Sequence, residues 1–315
     1  MKSTASNTAK RYGKLMVVVL GLSFVIMAGC GGGGGSSVAG SQAATDSSSA
    51  APAKAAVLSV KEGEMLNAVT YGNGKFVAVG DLGKVAISTD QANWTLGTTG
   101  TESSLLGATF GKGLFIAVGV DGTAFTSSDG NSWQAVTTGT EEYLYGAAFG
   151  NGTFVAVGGN GTIVSSEDGS TWTVRSQGSG NQFYSVNFCK DRFIAVGEGG
   201  TLLTSTDGRT WTTCVTGTQT WLFSAAYGNG VFVAVGANGL VLRSTDAINW
   251  STSTSGSDVT TMAIAFDGVN FNAVGEQGIL FKSQNGTAWT SEGQVSSECL
   301  YGMITAGEKM IAVGI

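Results

Sequence analysis

The sequence predicts an all-β fold, a β-propeller of seven blades with four antiparallel strands each, whose last blade is incomplete and is closed by an N-terminal strand. Two periodic features predict it. A tryptophan recurs every 39 residues, and a Phe-Val-Ala-Val-Gly element recurs in step with it. Because a unit of this length cannot bury its apolar faces alone, such self-similarity indicates repeats that pack on one another. The tryptophans are Trp94, Trp133, Trp172, Trp211, Trp250 and Trp289.

Each repeat has the pattern of four short strands joined by tight turns. In the third repeat, Asn151-Gly152 and Gly159-Asn160-Gly161 favour positive φ angles, so they predict turns on either side of residues 154–158. Those residues are apolar at consecutive positions, which predicts a strand buried on both faces. A β-solenoid is the alternative fold, but its repeats are shorter and do not alternate four strands with three tight turns.

The last repeat contains only the first two strands of the pattern, the second beginning at Met310. By register, residues 57–60 fall where a fourth strand belongs, so the N-terminal segment is expected to join the last blade and close the ring. One third strand then has no counterpart in the sequence. Either the last blade has three strands, or the N-terminal strand moves inward.

The N-terminus carries a basic segment and then an apolar run over residues 15–28, which is followed by Gly29 and Cys30. This is typical of a secretory signal, and its end resembles the lipobox of bacterial lipoproteins, in which the cysteine is acylated and becomes the mature N-terminus. The resemblance implies a signal peptide over residues 1–29, lipidation of Cys30 and, because Gly31 follows, the outer membrane of the bacterial cell envelope. A plain signal peptide or an uncleaved anchor is the alternative, although the run is shorter than the roughly 20 residues of a membrane span.

Residues 30–56 are rich in glycine, serine and alanine and have no core-forming pattern. They are expected to form a flexible linker between the lipid and a propeller over residues 57–315. The protein is expected to be monomeric and to be attached to the membrane through its N-terminal lipid.

Charge and composition exclude several functions. After Cys30 the chain keeps 12 of its 16 basic residues and all 22 acidic residues, a net charge of −10, which argues against nucleic-acid binding. The chain has no histidine, so acyl transfer by a Ser-His or Cys-His pair is excluded. Cys189, Cys214 and Cys299 lack CxxC spacing, so no zinc site and at most one disulfide are expected.

A serine and an aspartate precede each of the first five periodic tryptophans, as in Ser166-Asp168-Trp172. This series resembles the Asp-box, or bacterial neuraminidase repeat, which recurs in sialidases, sortilin-type receptors and the photosystem II assembly and stability factors. The common form has one more residue before the tryptophan; here Asn285 replaces the sixth aspartate, and Gln91 and Ala247 replace the usual glycine. The aspartates of the series are Asp90, Asp129, Asp168, Asp207 and Asp246.

The resemblance implies that these turns join third and fourth strands and lie opposite the usual ligand face of the propeller. Their aspartates and tryptophans are therefore expected to be structural, the carboxylate accepting backbone N–H bonds and the indole pinning the hairpin. The ligand is expected at the other face, where fourth-to-first loops and second-to-third turns gather.

The loops assigned to that other face are acidic and carry aromatic side chains. The carboxylates would attract a cationic partner or bind a divalent cation weakly, but they also serve plain solubility. Tyr145, Phe223 and Tyr301 could equally belong to the core, and no cofactor is expected. The candidate binding residues are Asp81, Asp121, Glu141, Glu142, Tyr143, Phe183, Glu198, Trp221 and Glu276.

The favoured function is that of a noncatalytic, lipid-anchored propeller that binds or scaffolds an envelope protein through this rim. A carbohydrate-binding propeller is the alternative, and a glycoside hydrolase is the weaker one. Sialidases of the resembled family need three arginines around the substrate. Here Arg175 and Arg243 fall in strands, and Arg192 and Arg209 fall at the opposite face.

Overall fold

The computed structural model describes residues 56–58, 65–306 and 309–314. Within these ranges the chain forms strands and short 3-10 turns. The predicted signal peptide, Cys30 and all of the predicted linker except Ala56 lie outside the described residues. In the part of the chain that is described, no helix is long and apolar enough to cross a membrane.

Six sheets contain four antiparallel strands each, in sequential order from the centre outward, and each is one blade. Strand β1 (Ala56–Leu58) lies elsewhere. Blade 1 is β2 (Leu66–Gly72), β3 (Lys75–Gly80), β4 (Lys84–Ser88) and β5 (Thr95–Thr98). Blade 2 is β6 (Leu105–Gly111), β7 (Leu114–Gly119), β8 (Thr123–Ser127) and β9 (Gln134–Thr137). Blade 3 is β10 (Leu144–Gly150), β11 (Thr153–Gly158), β12 (Ile163–Ser166) and β13 (Thr173–Ser176).

The next three blades repeat the pattern. Blade 4 is β14 (Phe183–Cys189), β15 (Arg192–Gly197), β16 (Leu202–Ser205) and β17 (Thr212–Thr213). Blade 5 is β18 (Leu222–Gly228), β19 (Val231–Gly236), β20 (Leu240–Ser244) and β21 (Ser251–Thr254). Blade 6 is β22 (Thr261–Phe266), β23 (Phe271–Gly275), β24 (Ile279–Ser283) and β25 (Thr290–Gln294).

The remaining sheet, called here the closing sheet, has three strands: β26 (Leu300–Ala306), β27 (Lys309–Gly314) and β1. The prediction of seven four-stranded blades was therefore wrong, since six have four strands. The N-terminal strand does join the last sheet, but inward of the fourth-strand position. It pairs with β27 and runs parallel to it, with Val57 opposite Ala312. First strands of neighbouring sheets pack side by side, and β26 meets β2, so the ring is closed.

The core lies between the blades, where the second strands are buried on both faces as predicted. In β11, Phe154, Val155, Ala156 and Val157 are fully buried. Phe154 packs with residues of blades 2 and 3, among them Ile116 of β7. The same position of each second strand holds a buried phenylalanine from blade 1 to blade 6. These buried faces account for the apolar runs in the sequence.

Glycines at the ends of four first strands make room for the aromatic ring of the next blade. A β-carbon added to Gly150 would lie 2.0 Å from Cδ2 of Phe188, which is too close for any side chain. The same holds for Gly72 against Phe110, for Gly111 against Phe149 and for Gly228 against Phe266. Each of these phenylalanines therefore occupies a slot that only glycine leaves open.

The Ser-x-Asp turns connect the third and fourth strands and are stabilised by local hydrogen bonds. Ser166 Oγ accepts the N–H of Gly169 at 2.9 Å, and Asp168 Oδ1 accepts the N–H groups of Thr171 and Ser170 at 2.7 and 2.8 Å. These donors hold the pKa of Asp168 well below its usual range, the Thr171 N–H contributing most. The indole of Trp172 donates to the Gly169 carbonyl at 3.2 Å.

The departures from the resembled motif leave this turn intact. Asn285 Oδ1 accepts the N–H groups of Thr287 and Ala288 at 2.9 and 3.0 Å, so an amide oxygen can replace the carboxylate. Gln91 and Ala247 adopt the positive φ angles, 72° and 61°, that glycine adopts at the equivalent place in the other turns. The turns therefore act through an acceptor oxygen and backbone shape.

The hairpins between first and second strands fasten each of several blades to the next. Lys75 Nζ donates to the Asp129 carbonyl at 2.9 Å, and Lys112 Nζ to the Glu167 carbonyl at 2.7 Å. Asn151 Nδ2 donates to the Thr206 carbonyl at 2.9 Å in the same way. Lys75 and Lys112 on this face are thus used in contacts between blades.

Candidate functional site

The antiparallel order of each blade gathers two kinds of connection at one end of the ring. We call this end the loop face; it carries the fourth-to-first loops and the second-to-third turns. The opposite end, the turn face, carries the first-to-second hairpins and the Ser-x-Asp turns. Ligands of propellers and of other closed β architectures commonly bind at such loop-bearing ends, because loops vary while the framework holds them in place.

The second residue of every first strand lies at the loop end of the central channel and is partly exposed. These positions are 39 residues apart but are not alike in chemistry. We call the set the mouth ring: Asn67, Leu106, Tyr145, Tyr184, Phe223, Met262 and Tyr301.

Directly inside the mouth ring, the next residue of every first strand is small, and neighbouring strands approach closely. A β-carbon on Gly107 would lie 3.0 Å from the Cα of Gly146, and one on Gly146 would lie 2.9 Å from the Cα of Ser185. This packing keeps the first strands tight just below the mouth. A ligand is therefore expected to contact the mouth ring and the surrounding loops.

Aromatic side chains connect blades 3, 4 and 5 at the mouth. The ring centroids of Tyr145 and Tyr184 are 6.1 Å apart, and Tyr184 stacks on Phe223 at 5.1 Å. Tyr143 lies 6.3 Å from Tyr145, and Trp221 lies 5.9 Å from Tyr184. Aromatic pairs at such distances contribute more stability than their buried area alone would give. We call these five residues the aromatic arc.

The backbone of Gln182 holds Glu198, and its side chain binds Tyr145 of the arc. The Tyr145 hydroxyl donates to Gln182 Oε1 at 3.1 Å, and the Gln182 N–H donates to Glu198 Oε2 at 3.4 Å. The Glu198 N–H donates in turn to the Gln182 carbonyl at 2.9 Å. Burial raises the pKa of Tyr145, and the charges of Tyr143, Glu142 and Glu198 add to the effect. Tyr145 therefore stays a neutral donor.

Glu142 lies on the other side of Tyr145, in the loop that precedes it. Asn160 Nδ2 donates to Glu142 Oε1 at 3.3 Å, and a β-carbon on Gly159 would lie 3.1 Å from Glu142 Oε2. Burial raises the pKa of Tyr143, with a further contribution from the charge of Asp121 in blade 2. Carboxylates from neighbouring loops thus contribute to the raised pKa values of Tyr143 and Tyr145.

The hydroxyl of Tyr184 is buried and has no hydrogen-bond partner among the described residues. Burial raises its pKa, and the charges of Glu198 and Tyr145 contribute further. A buried polar group without a partner costs free energy, typically about 1–3 kcal/mol. Native structures retain such groups chiefly at functional sites or where a ligand or water supplies the partner.

The candidate binding residues from the sequence lie in different surroundings. Tyr143 and Trp221 are in the aromatic arc, and Glu142 and Glu198 flank it. Glu141 and Asp121 are exposed on the same side of the ring. Asp81 accepts a hydrogen bond from Asn67 at 3.2 Å in blade 1, and Glu276 begins a turn in blade 6, so neither belongs to the arc.

Phe183 was placed wrongly at the exposed rim. Its side chain is only 3% exposed and packs in the core with Val155 and Phe193. The first residue of a first strand points between blades, and that position holds leucine in five of the seven sheets. The 39-residue register contained this signal, and it also marks Tyr184, one position further along, as the mouth residue of blade 4.

Leu82 is a second unusual residue of the loop face. It is 62% exposed and has a φ of 56° at the centre of the second-to-third turn of blade 1. The equivalent positions of the other blades hold Asp121, Asn160, Gly199, Asn238 and Gln277. An exposed leucine in the left-handed region is unfavourable on both counts. Blade 1 therefore presents an exposed apolar side chain on the loop face.

The described residues do not bring together the arginines that a sialidase needs around its substrate. Arg175 donates to Ser165 Oγ in blade 3, Arg192 contacts Asp191, Arg209 contacts Glu167, and Arg243 donates to the Asn285 carbonyl. None of these is at the mouth.

No group of three or more acidic or cysteine residues in the described chain is arranged to hold a metal ion. Weak binding of a divalent cation remains an expectation. Cys189 and Cys214 are buried free thiols, and burial raises the pKa of Cys189 to about 12. A shallow cleft of about 390 Å³ beside β17, lined by residues 199–201 and 213–219, contains no charged side chain.

Comparisons with known proteins identify the fold. No family model and no curated protein sequence matches this chain. Among solved structures, YCF48 bound to a D1 peptide matches with a TM-score of 0.66 at 17% identity, covering 80% of this chain and 89% of that one. YCF48 from Cyanidioschyzon merolae matches with a TM-score of 0.63 at 17% identity, covering 80% and 92%. The WD40 propeller domain of Doa1 matches with a TM-score of 0.62 at 12% identity, covering 80% and 90%.

These matches confirm a β-propeller. At such low identity they show the architecture, whereas function depends on the residues that a propeller displays.

Proposed function

We propose that this protein is a noncatalytic, lipid-anchored β-propeller of the bacterial cell envelope that binds or scaffolds a protein partner through its loop face. The observation that carries the proposal is the contrast between the two faces. On the turn face the repeats keep the same turns, and several of their basic residues bind the next blade. On the loop face the mouth ring changes from blade to blade and gathers the aromatic arc beside carboxylates.

Three features of the loop face favour a protein ligand. The arc supplies tyrosine and tryptophan, which are enriched in binding hot spots. Leu82 adds an exposed apolar group in blade 1. The carboxylates around the arc favour a partner with a basic contact segment. The structural similarity to YCF48 bound to a peptide, and to a WD40 domain, supports this reading because both have the same architecture.

The Ser-x-Asp turns act as scaffold in this proposal, in keeping with their resemblance to Asp-boxes. In the third repeat the Ser166 Oγ and Asp168 Oδ1 atoms accept backbone N–H groups of the same turn. These bonds hold the pKa of Asp168 well below its usual range, so its carboxylate is a poor general acid or base near neutral pH.

Carbohydrate binding is the second candidate, because aromatic rings can stack on sugars. The arrangement of the arc favours it less. Tyr184 and Phe223 stack on each other with an interplanar angle of 29°, so these two rings use their faces within the protein. A glycan that binds the wild type and not Trp221→Ala would establish this alternative.

Affinity capture from envelope membranes tests partner binding. The full chain is expected to recover one protein in a stoichiometric amount. Changing Glu141→Gln, Glu142→Gln and Glu198→Gln together should reduce recovery at least about tenfold, because charge complementarity is lost at the centre of the contact. Recovery should also fall as salt is raised.

A matched control changes Glu167→Gln, Asp191→Asn and Glu292→Gln, which removes three negative charges away from the loop face. Each of these residues makes a surface ion pair, with Arg209, Arg192 and Lys282 respectively. Such pairs contribute little to stability, typically about 0–1 kcal/mol. Full recovery is expected with this control. Equal recovery by both triple variants, or no stoichiometric partner at all, would contradict the proposed function.

Lipid anchoring is proposed from residues 27–30 and is tested separately. The wild-type chain should fractionate with membranes and incorporate a radiolabelled fatty acid. Cys30→Ser should lose the label and move to the soluble fraction or keep an uncleaved signal. Labelling that persists in Cys30→Ser would place the acylation elsewhere, and an unlabelled wild type would argue against a lipoprotein.

A further inference from the structure

The carboxylates beside the aromatic arc lack cationic neighbours. In the described part of the chain, neither Glu142 nor Glu198 has a lysine or arginine within ion-pair distance. Both are partly buried, and their recorded hydrogen bonds come from neutral donors, Asn160 to Glu142 and the Gln182 N–H to Glu198. A partly buried carboxylate without a counter-charge gains from a cation that a ligand supplies.

The arc itself has the properties of a seat for such a cation. Its π faces attract cations, with tryptophan the strongest of the aromatic residues. The ring centroids of Trp221 and Tyr184 are 5.9 Å apart, and Tyr184 belongs to the same blade as Glu198. Tyr145 is linked to Glu198 by hydrogen bonds through Gln182.

We infer that the arc and Glu198, with Glu142 at its edge, bind one arginine or lysine side chain of the partner protein. The side chain would lie over the ring of Trp221, with its charge next to the Glu198 carboxylate. This deepens the proposed function and rests on it, since it specifies which chemical group of the partner enters the mouth.

The same features select against other occupants of the mouth. An anionic group would meet Glu142 and Glu198 with no described arginine or lysine nearby to offset them. A neutral apolar side chain would bury these carboxylates without a partner, which is costly. Arginine fits best, because its planar guanidinium both stacks on aromatic rings and binds a carboxylate through two N–H groups.

Peptide titration tests this seat directly. The protein, purified from membranes as the cell processes it, is titrated by calorimetry with a Gly/Ser decapeptide that carries two central arginines. The matched peptides carry lysine, or citrulline, which has the shape of arginine without its charge. The arginine peptide is expected to bind at least about tenfold more tightly than the citrulline peptide, with lysine between them.

Protein variants locate the seat. Glu198→Gln should weaken arginine-peptide binding about tenfold and reduce its salt dependence, and Trp221→Leu should weaken it about fivefold. Asp258→Asn removes an exposed charge from the loop before blade 6 and should leave the affinity within about twofold. Thermal melts of each variant establish that it is folded.

The inference would be overturned by equal binding of the arginine and citrulline peptides, or by arginine binding that is unchanged in Glu198→Gln. Absence of saturable arginine binding would overturn it too. The proposed function would survive these results if the captured protein is still lost in the loop-face triple variant. Only a negative result in the capture experiment would contradict the proposed function.

Discussion

Phe154→Ala is expected to lower the free energy of unfolding by about 3–5 kcal/mol, the range measured for fully buried phenylalanines. Phe154 of β11 is fully buried between blades 2 and 3, and its ring centroid lies 4.6 Å from that of Phe149. Its removal leaves a cavity that two paired sheets cannot close without breaking register. For a domain of this size the loss corresponds to a fall in Tm of roughly 10 °C.

Urea denaturation and calorimetry of wild type and variant measure this loss. Leu96→Ala is the matched control, because Leu96 is 56% exposed on the outermost strand of blade 1. That control should change the unfolding free energy by less than about 0.5 kcal/mol. A loss below about 1 kcal/mol for Phe154→Ala would mean that neighbouring side chains fill the space, and the account of the core would need revision.

The repeated second strand shows why so much of the fold could be predicted. A strand buried on both faces must be apolar at consecutive residues, and the tight turn that follows it needs glycine. Both requirements are local, so the sequence of residues 154–161 is enough to predict β11, its burial and the turn that follows it. The structure confirms them in blades 1 to 6.

The closing sheet could not be predicted in the same way. Strand β1 has three residues, and its partner β27 lies at the far end of the chain. Nothing local in Ala56–Leu58 distinguishes a third from a fourth strand, or a parallel from an antiparallel pair. That choice depends on contacts across the ring, which only the folded chain brings together.

The candidate site was partly predictable for a related reason. Loop acids such as Glu142 and Glu198 could be assigned to one face from strand order alone. Phe183 was misplaced because aromatic character was given more weight than its register with Leu144 and Leu222. The link from Tyr145 through Gln182 to Glu198 joins two blades, and no spacing in the sequence indicates it.

Gly150→Val is expected to be as damaging as the loss of a core phenylalanine. The new β-carbon would lie 2.0 Å from Phe188 of blade 4, so the ring must leave its slot between the blades. Overpacking alone costs about 1–3 kcal/mol, and an ejected phenylalanine adds to it. We expect a total loss above about 3 kcal/mol in urea denaturation, or an insoluble product.

A second substitution separates the slot from any other role of this glycine. With Phe188→Ala present, valine at position 150 has space, so the double variant should be more stable than additivity predicts by about 1–2 kcal/mol. Gly97→Val is the control, because no atom lies within 4 Å of a β-carbon on Gly97 and its φ is not positive. Valine favours strands, so this control should be neutral or slightly stabilising. If the losses at Gly150 and Phe188 are simply additive, the two positions act independently, and glycine is required at the end of β10 for its backbone rather than for the neighbouring ring.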